Sequence, residues 1–565
     1  MRTEKRKWLF SGLLTALFVF LASAALAADP VLRLHWTVEG QDVYISPVDR
    51  SGQPCFFLPG ACRGQDPTVE VVQPGPELIW DGKAYPNGSV LPLESYLGQE
   101  PAVAYSDGRR LGAARVMQGS PIPSLFFEIS RDDLNRVESR AGLDIKGQVN
   151  MVMLRGDGTL NAAETVPSFK THGNSTFFAP KKAYVFKMEH KQDLAGMGRN
   201  KKWVLLANWF DISLIRNQIT FDLCREVGLK GTPDCRQAEL YLNGSYNGTY
   251  LLTEKIQLKT DRLEITDMEE SLEKMNGQAF YDGAVRKKEK NEGLTLRYFD
   301  VAEPEDVTGG FLLELEKELQ YSRDRKSAGF ATHGVLCVTV KEPTHAGKRA
   351  MRYIGWLMND FHNAVMDPEG ICRRTGKYYA EFIDMESFAL KTAVEEFTCN
   401  FDFRAGSQFL YKDSDRIDSR LYAGPGWDYD LTYGNKDNGV RNPAREDYVF
   451  TRSTDKSNLY RLLLTHGDFR QAARKAYEEI FLPAAEVLQG RRKAPEGSPL
   501  KSVPAYQAEI EASAEMNFTR WSARAVPDIT NASGRTFQDA GAFVMNWVGV
   551  RLQTMTDTWL KEKSE

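Results

Sequence analysis

The 565-residue chain is poor in the residues that build metal and redox centres, with seven histidines and seven cysteines spread along its length. No Cys-x-x-Cys or His-Glu-x-x-His stretch occurs, so zinc or dithiol chemistry would need ligands gathered from distant segments. Neither a Walker A motif nor Gly-x-Gly-x-x-Gly is present, which removes the two commonest phosphate-binding signatures. Internal repeats, low-complexity tracts and long single-sign charge blocks are also missing, excluding solenoids, rods and disordered tails. The 72 basic residues nearly balance 76 acidic ones, giving a net charge of −4 and no general drive toward nucleic-acid phosphates.

What remains is ordinary globular material, 42 % apolar and 26 % charged. At roughly 150 residues per domain, the length allows about three or four domains and a cleft between lobes. Arg2, Lys5, Arg6 and Lys7 precede an uncharged apolar run from Trp8 to Leu21, and small residues then end at Ala25, Leu26 and Ala27. That is the pattern of a secretory signal over 1–27, too short for a membrane span of about 20 apolar residues. A periplasmic, extracellular or cell-surface protein is expected, with no stable transmembrane segment in the mature chain. Export permits disulfides, and Cys55/Cys62 and Cys224/Cys235 are the local pairs that spacing suggests.

From 29 to 118, short β-like runs such as 31–36 and 43–46 alternate with turns at Pro74-Gly75 and Asn87-Gly88, predicting a small all-β accessory module. A compact α+β lobe is expected over 119–258: strands at 124–129, 149–154 and 183–188, a helix over 212–227, then strands at 237–242 and 249–256. Downstream, over 259–565, apolar spacing of three and four predicts a helical lobe with helices over 349–365, 384–397, 468–488 and 540–560, the third interrupted at Pro483.

Four clusters carry candidate chemistry. His172 to Thr176 is a small polar loop containing Asn174 and Ser175; its backbone amides, with Lys182 or Lys187 on the following strand, would suit phosphate. Strand alternation puts Lys182 and Lys187 on opposite faces. Residues 253–256, with Glu254 and Ile256, end the last strand at the lobe junction, where extended backbone can meet an adenine edge. Asn400-Phe401-Asp402 follows a predicted helix, and 424–435 contains Trp427, Asp428, Tyr429 and Asp430. On an extended segment, Asp428 and Asp430 project from one face and suit a hard cation or acid–base work, while Trp427 and Tyr429 either stack on a flat ring or pack inward.

The runs 196–217 (GMGRNKKWVLLANWFDISLIRN), 239–254 (ELYLNGSYNGTYLLTE), 309–316 (GGFLLELE) and 424–430 (GPGWDYD) resemble, in this order, the spore coat protein H (CotH) kinase family. The resemblance extends from about Ser124 to Asn435 and implies an atypical protein-kinase-like, two-lobed α+β fold. It also implies ATP with Mg²⁺ or Mn²⁺ and phosphate transfer to Ser or Thr of exported or surface proteins. By position, Asp402 resembles the catalytic-loop aspartate, Asp428 the metal-binding one with Asp430 as helper, and Lys182 the phosphate-contacting lysine with Lys187 as rival. His-Arg-Asp and Asp-Phe-Gly are absent, and Ser407 stands where ordinary protein kinases place the Asn for a second cation. Two other readings compete: a non-catalytic surface-binding protein on the same fold, and a carbohydrate-active hydrolase using two carboxylates.

Overall fold

A computed structural model describes residues 32–561 apart from 73–75, 141, 146, 148, 174, 259–261, 325, 333–335, 404–405, 437–441, 452–455 and 523–534. The expected signal segment and Asn174 thus lie outside the described residues. Among the described residues, no helix is long and apolar enough to cross a membrane. All seven cysteines are buried free thiols, so the two suggested disulfides are not formed. Cys224 lies inside the main apolar core and Cys62 in the N-terminal one, where burial pushes each thiol up to about 12.

The fold is mixed α+β. Residues 32–118 form three small sheets, and their first strand, Leu32–Val38, alternates buried and solvent-facing side chains as a one-sided strand should. Next comes an eight-stranded sheet in the order Leu160–Val166, Val149–Leu154, Ser124–Glu128, Cys235–Leu242, Ser245–Glu254, Arg199–Leu206, Ala183–Asp193, Ser168–His172. All its pairs are antiparallel except the contact of Ser124–Glu128 with Cys235–Leu242. Asn243-Gly244, both at positive φ, turn the hairpin in its middle.

The helical lobe expected after 259 also contains a large sheet. A seven-stranded antiparallel sheet runs Arg286–Asn291, Leu294–Phe299, Gly329–Thr332, Leu336–Glu342, Phe311–Glu316, Gln408–Lys412, Leu421–Ala423. Its central strands are covered on both faces and therefore read as short apolar runs without alternation, while the edge strand Arg286–Asn291 is almost entirely charged. The long predicted helices do form: Lys348–Met366, Met385–Thr398 and Phe537–Lys561. The 468–488 segment becomes Gly467–Ala476, a π-helical stretch Tyr477–Phe481, and Leu482–Leu488 with Pro483 in its first turn. A proline has no N–H to donate and crowds the carbonyl four residues back, and the wider turn accommodates both defects.

Helix Val503–Arg520, invisible in the apolar pattern, returns to the eight-stranded sheet. Its Asn517 Oδ1 accepts from the buried Lys181 Nζ at 2.9 Å, and Gly248 opposite is obligatory because a Cβ there would lie 2.6 Å from the same oxygen. Glu239 ties three parts of the chain together: it accepts from Gly60 N at 2.8 Å, from Ser124 Oγ at 3.2 Å and from Ser513 Oγ at 2.8 Å. Burial pushes its carboxyl up to about 7 against these donors. Because the folded state holds this proton more tightly than the unfolded chain, the stabilisation is present in full below about pH 4.5 and is lost as pH rises to about 7, at most about 3 kcal/mol. Glu239→Gln should therefore flatten the fall of melting temperature between pH 5 and pH 8, read by calorimetry; an unchanged slope would assign that fall to other groups.

Candidate active site

Helix Met385–Thr398 starts at Asp384, which caps Ser387 N at 2.9 Å, and stops where Cys399 turns left-handed at φ 45°. The chain then makes a tight loop in which Asn400 Oδ1 accepts from Asp402 N at 3.0 Å, Phe403 is fully buried, and Tyr448 OH donates to the Asn400 carbonyl at 2.8 Å. This anchoring leaves the Asp402 carboxylate a quarter exposed, with Lys317 Nζ 2.5 Å from its Oδ1.

Ser407 opens the strand Gln408–Lys412 with φ 57°; its N donates to Glu314 Oε1 and its Oγ to Asp428 Oδ2, both at 2.9 Å. Asp428 itself has φ 66°, an uncommon conformation for a residue other than glycine. The chain is therefore not extended there, and the same-face argument for Asp428 and Asp430 does not hold as made. The two carboxylates are neighbours nonetheless. Burial and then the Asp402 charge push Asp428 up to about 6, with the Ser407 hydroxyl opposing, and burial followed by the Asp428 charge raises Asp430 well above the usual range.

The acidic loop is held from below by residues far away in sequence. Asn217 Oδ1 accepts from Tyr429 N at 2.7 Å, and Arg216, ion-paired with the buried Asp211, donates to the Thr432 carbonyl at 3.1 Å. Tyr429, between the two aspartates, is fully buried and takes a 2.6 Å hydrogen bond from Lys391 Nζ while donating to Glu395 at 3.2 Å. Lys391 and Glu395 form a 2.6 Å ion pair with no solvent exposure on either side chain. Gly426 lets the loop come this close, since a Cβ there would sit 2.7 Å from Cys224 Sγ. Trp427 packs inward as well, stacked on Phe221 at 5.5 Å, with His172 edge-on at 6.3 Å.

Opposite lies the eight-stranded sheet. Lys170 pairs with Val185 and Lys187 with Lys202, so these lysines share one face with His172. Enclosure and then the charges of Lys255, Lys170 and Lys341 lower His172 to about 4; enclosure and then Lys202 lower Lys255 to about 8. Lys341 in turn pairs with Glu314 at 2.7 Å. A group of cations thus gathers around His172, whose ring meets Trp427 of the acidic loop.

Among the nucleotide-binding candidates, Lys182 is turned into its own loop, donating to the Phe177 carbonyl at 2.5 Å and lying over the Phe177 ring. Lys187 is exposed on the lysine-bearing face, and Ser175 is exposed where it opens the turn Thr176–Phe178. Glu254 is buried against Arg262, pushed up to about 7 by burial, and borders a cavity of about 300 Å³ with Thr232 and Lys230. Ile256 packs into a small apolar cluster with Leu312 and Phe409. The fold brings Asp402, Ser407, Asp428 and Asp430 together; Glu314, Lys317, Lys391 and Glu395 join them with no local signal of their own beyond the quoted run 309–316 for Glu314, while Lys255, inside the 253–256 cluster, lies among the lysines around His172.

The donor set at Ser407, Asp428 and Asp430 is entirely oxygen, and two crowded carboxylates with raised protonation fit a hard divalent cation. Among the described residues, no group of three His, Cys, Asp or Glu side chains is placed to hold an ion.

Crowded aspartates near a lysine-bearing sheet face are residue types that phosphoryl transfer uses. The family model described as CotH kinase protein matches residues 169–555, and the chain belongs to that family. No curated protein matches it.

Proposed function

We propose that the chain is an exported protein kinase of two-lobed build, transferring the γ-phosphate of ATP to Ser or Thr hydroxyls of envelope or surface proteins. The observation that carries this reading is the Ser407-linked acidic site, with Asp402 and Asp428 close enough to interact and the lysine-bearing sheet face meeting the same loop through His172 and Trp427. Asp402 is the group to orient the acceptor hydroxyl and take its proton. Ser407, Asp428 and Asp430 would hold Mg²⁺ or Mn²⁺, which when bound neutralises phosphate oxygens. Lys202 and Lys255 receive the phosphates in place of Lys182, whose ammonium is already satisfied within its loop. Catalysis is then mainly positioning and charge neutralisation.

Purified mature chain with ATP and Mg²⁺ or Mn²⁺ should place phosphate on Ser or Thr of itself or of a casein-like acceptor, located by mass spectrometry. No incorporation, together with no nucleotide-induced thermal shift, would refute the reading. Lys255→Met should reduce that shift by at least half whereas Lys182→Met keeps it; the opposite result would restore Lys182 as the phosphate ligand.

A further inference from the structure

Lys317 follows directly on the strand Phe311–Glu316, 85 residues before the aspartate it meets. Three contacts fix this strand end against the catalytic loop: Gly406 N donates to the Leu315 carbonyl at 2.7 Å, Ser407 N donates to Glu314 Oε1 at 2.9 Å, and Lys317 Nζ sits 2.5 Å from Asp402 Oδ1. Gly406, at φ 87°, takes a backbone conformation that L side chains rarely adopt, and it lies beside the lysine stem, 3.6 Å separating an added Cβ from Lys317 Cε. The ammonium is therefore placed by backbone on both sides rather than by a free swing of its stem.

The ion pair has little to do with folding. Lys317 is 41 % exposed and Asp402 25 %, and pairs this open to water are screened and contribute little to stability. What the pair does fix is a cation at the carboxylate where the acceptor hydroxyl and the phosphoryl group must meet.

We propose that Lys317 is a catalytic residue that contacts the transferring phosphoryl group and orients Asp402, an inference that rests on the kinase reading above. In the transfer, the acceptor oxygen forms the new bond to the γ-phosphorus and its proton passes to Asp402. The bond from that phosphorus to the bridging oxygen of the nucleoside triphosphate breaks, and the nucleoside diphosphate leaves with the electron pair. Lys317 keeps its own proton throughout. Its charge faces the oxygens of the group in flight, where a fixed cation in a partly dehydrated site stabilises the transition state more than the ground state.

The test is steady-state phosphate transfer by the full mature chain and by Lys317→Met and Lys317→Arg, with ATP and Mn²⁺ or Mg²⁺. Lys317→Met should lose about 100-fold or more in kcat, with KM for ATP changed less than about threefold and melting temperature unchanged. Lys317→Arg should recover at least tenfold of that loss. If Lys317→Met turns over within threefold of the unsubstituted chain, or if its defect lies wholly in KM, Lys317 is a surface ion-pair partner only and the proposal is overturned. If the unsubstituted chain itself transfers no phosphate, the kinase reading fails and this inference falls with it.

Discussion

Asp402→Asn should slow phosphate transfer by about 10²- to 10⁴-fold, the usual contribution of a positioned general base, while binding nucleotide as the unsubstituted chain does. The substitution keeps shape and removes only the group that accepts the proton. Its carboxylate is a quarter exposed and its loop is held by Asn400, Phe403 and Tyr448 rather than by the Asp402 side chain, so folding should be unaffected. Asp428→Asn should behave differently. It should abolish transfer and also the metal-dependent part of the nucleotide-induced thermal shift, because it removes a carboxylate from the proposed ion site. Measuring turnover and thermal shift on both variants separates the two roles. Equal behaviour of Asp402→Asn and the unsubstituted chain would overturn the assignment of Asp402, and a metal-dependent shift surviving in Asp428→Asn would overturn that of Asp428.

The second large effect concerns stability. Lys391→Met should destabilise the fold by about 3–5 kcal/mol, because it strands the Glu395 charge, wholly buried, beneath the acidic loop. Glu395 Oε1 would keep only the neutral donors Tyr429 OH at 3.2 Å and Gln408 Nε2 at 3.5 Å, and Oε2 has no hydrogen-bond partner among the described residues, so the lost positive charge is not made good. The double variant Lys391→Met/Glu395→Leu should recover at least half of the loss, since a buried ion pair replaced by apolar groups of similar volume is often neutral. Denaturant unfolding of the single and double variants measures both values. A single variant within about 1 kcal/mol of the unsubstituted chain would show that the pair does not brace the loop.

Much of the scaffold was legible in the residues. Helices Lys348–Met366 and Met385–Thr398 appeared because each keeps an apolar stripe at helical spacing, and the hairpin around Asn243-Gly244 because both residues tolerate positive φ. The seven-stranded sheet did not, since Gln408–Lys412 and Leu336–Glu342 are covered on both sides and carry no period of two. Helix Val503–Arg520 escaped because its buried positions, among them Ser513 and Asn517, include polar groups that bond to other elements.

The sequence by itself pointed to Asp402, Asp428 and Asp430, because each lies in a short motif and local chemistry is written in local order, and to Ser407 through its position relative to Asp402 in the kinase resemblance. Only the tertiary structure decided what surrounds them. Lys317 meets Asp402 across 85 residues, Glu314 meets Ser407 across 93 and Asn217 meets Tyr429 across 212. Pairings of that span follow from sheet register and loop closure, which depend on the whole chain at once. The same register turned Lys182 into its own loop and gathered Lys170, Lys202 and Lys255 around His172, an outcome that no count of residues between motifs contains.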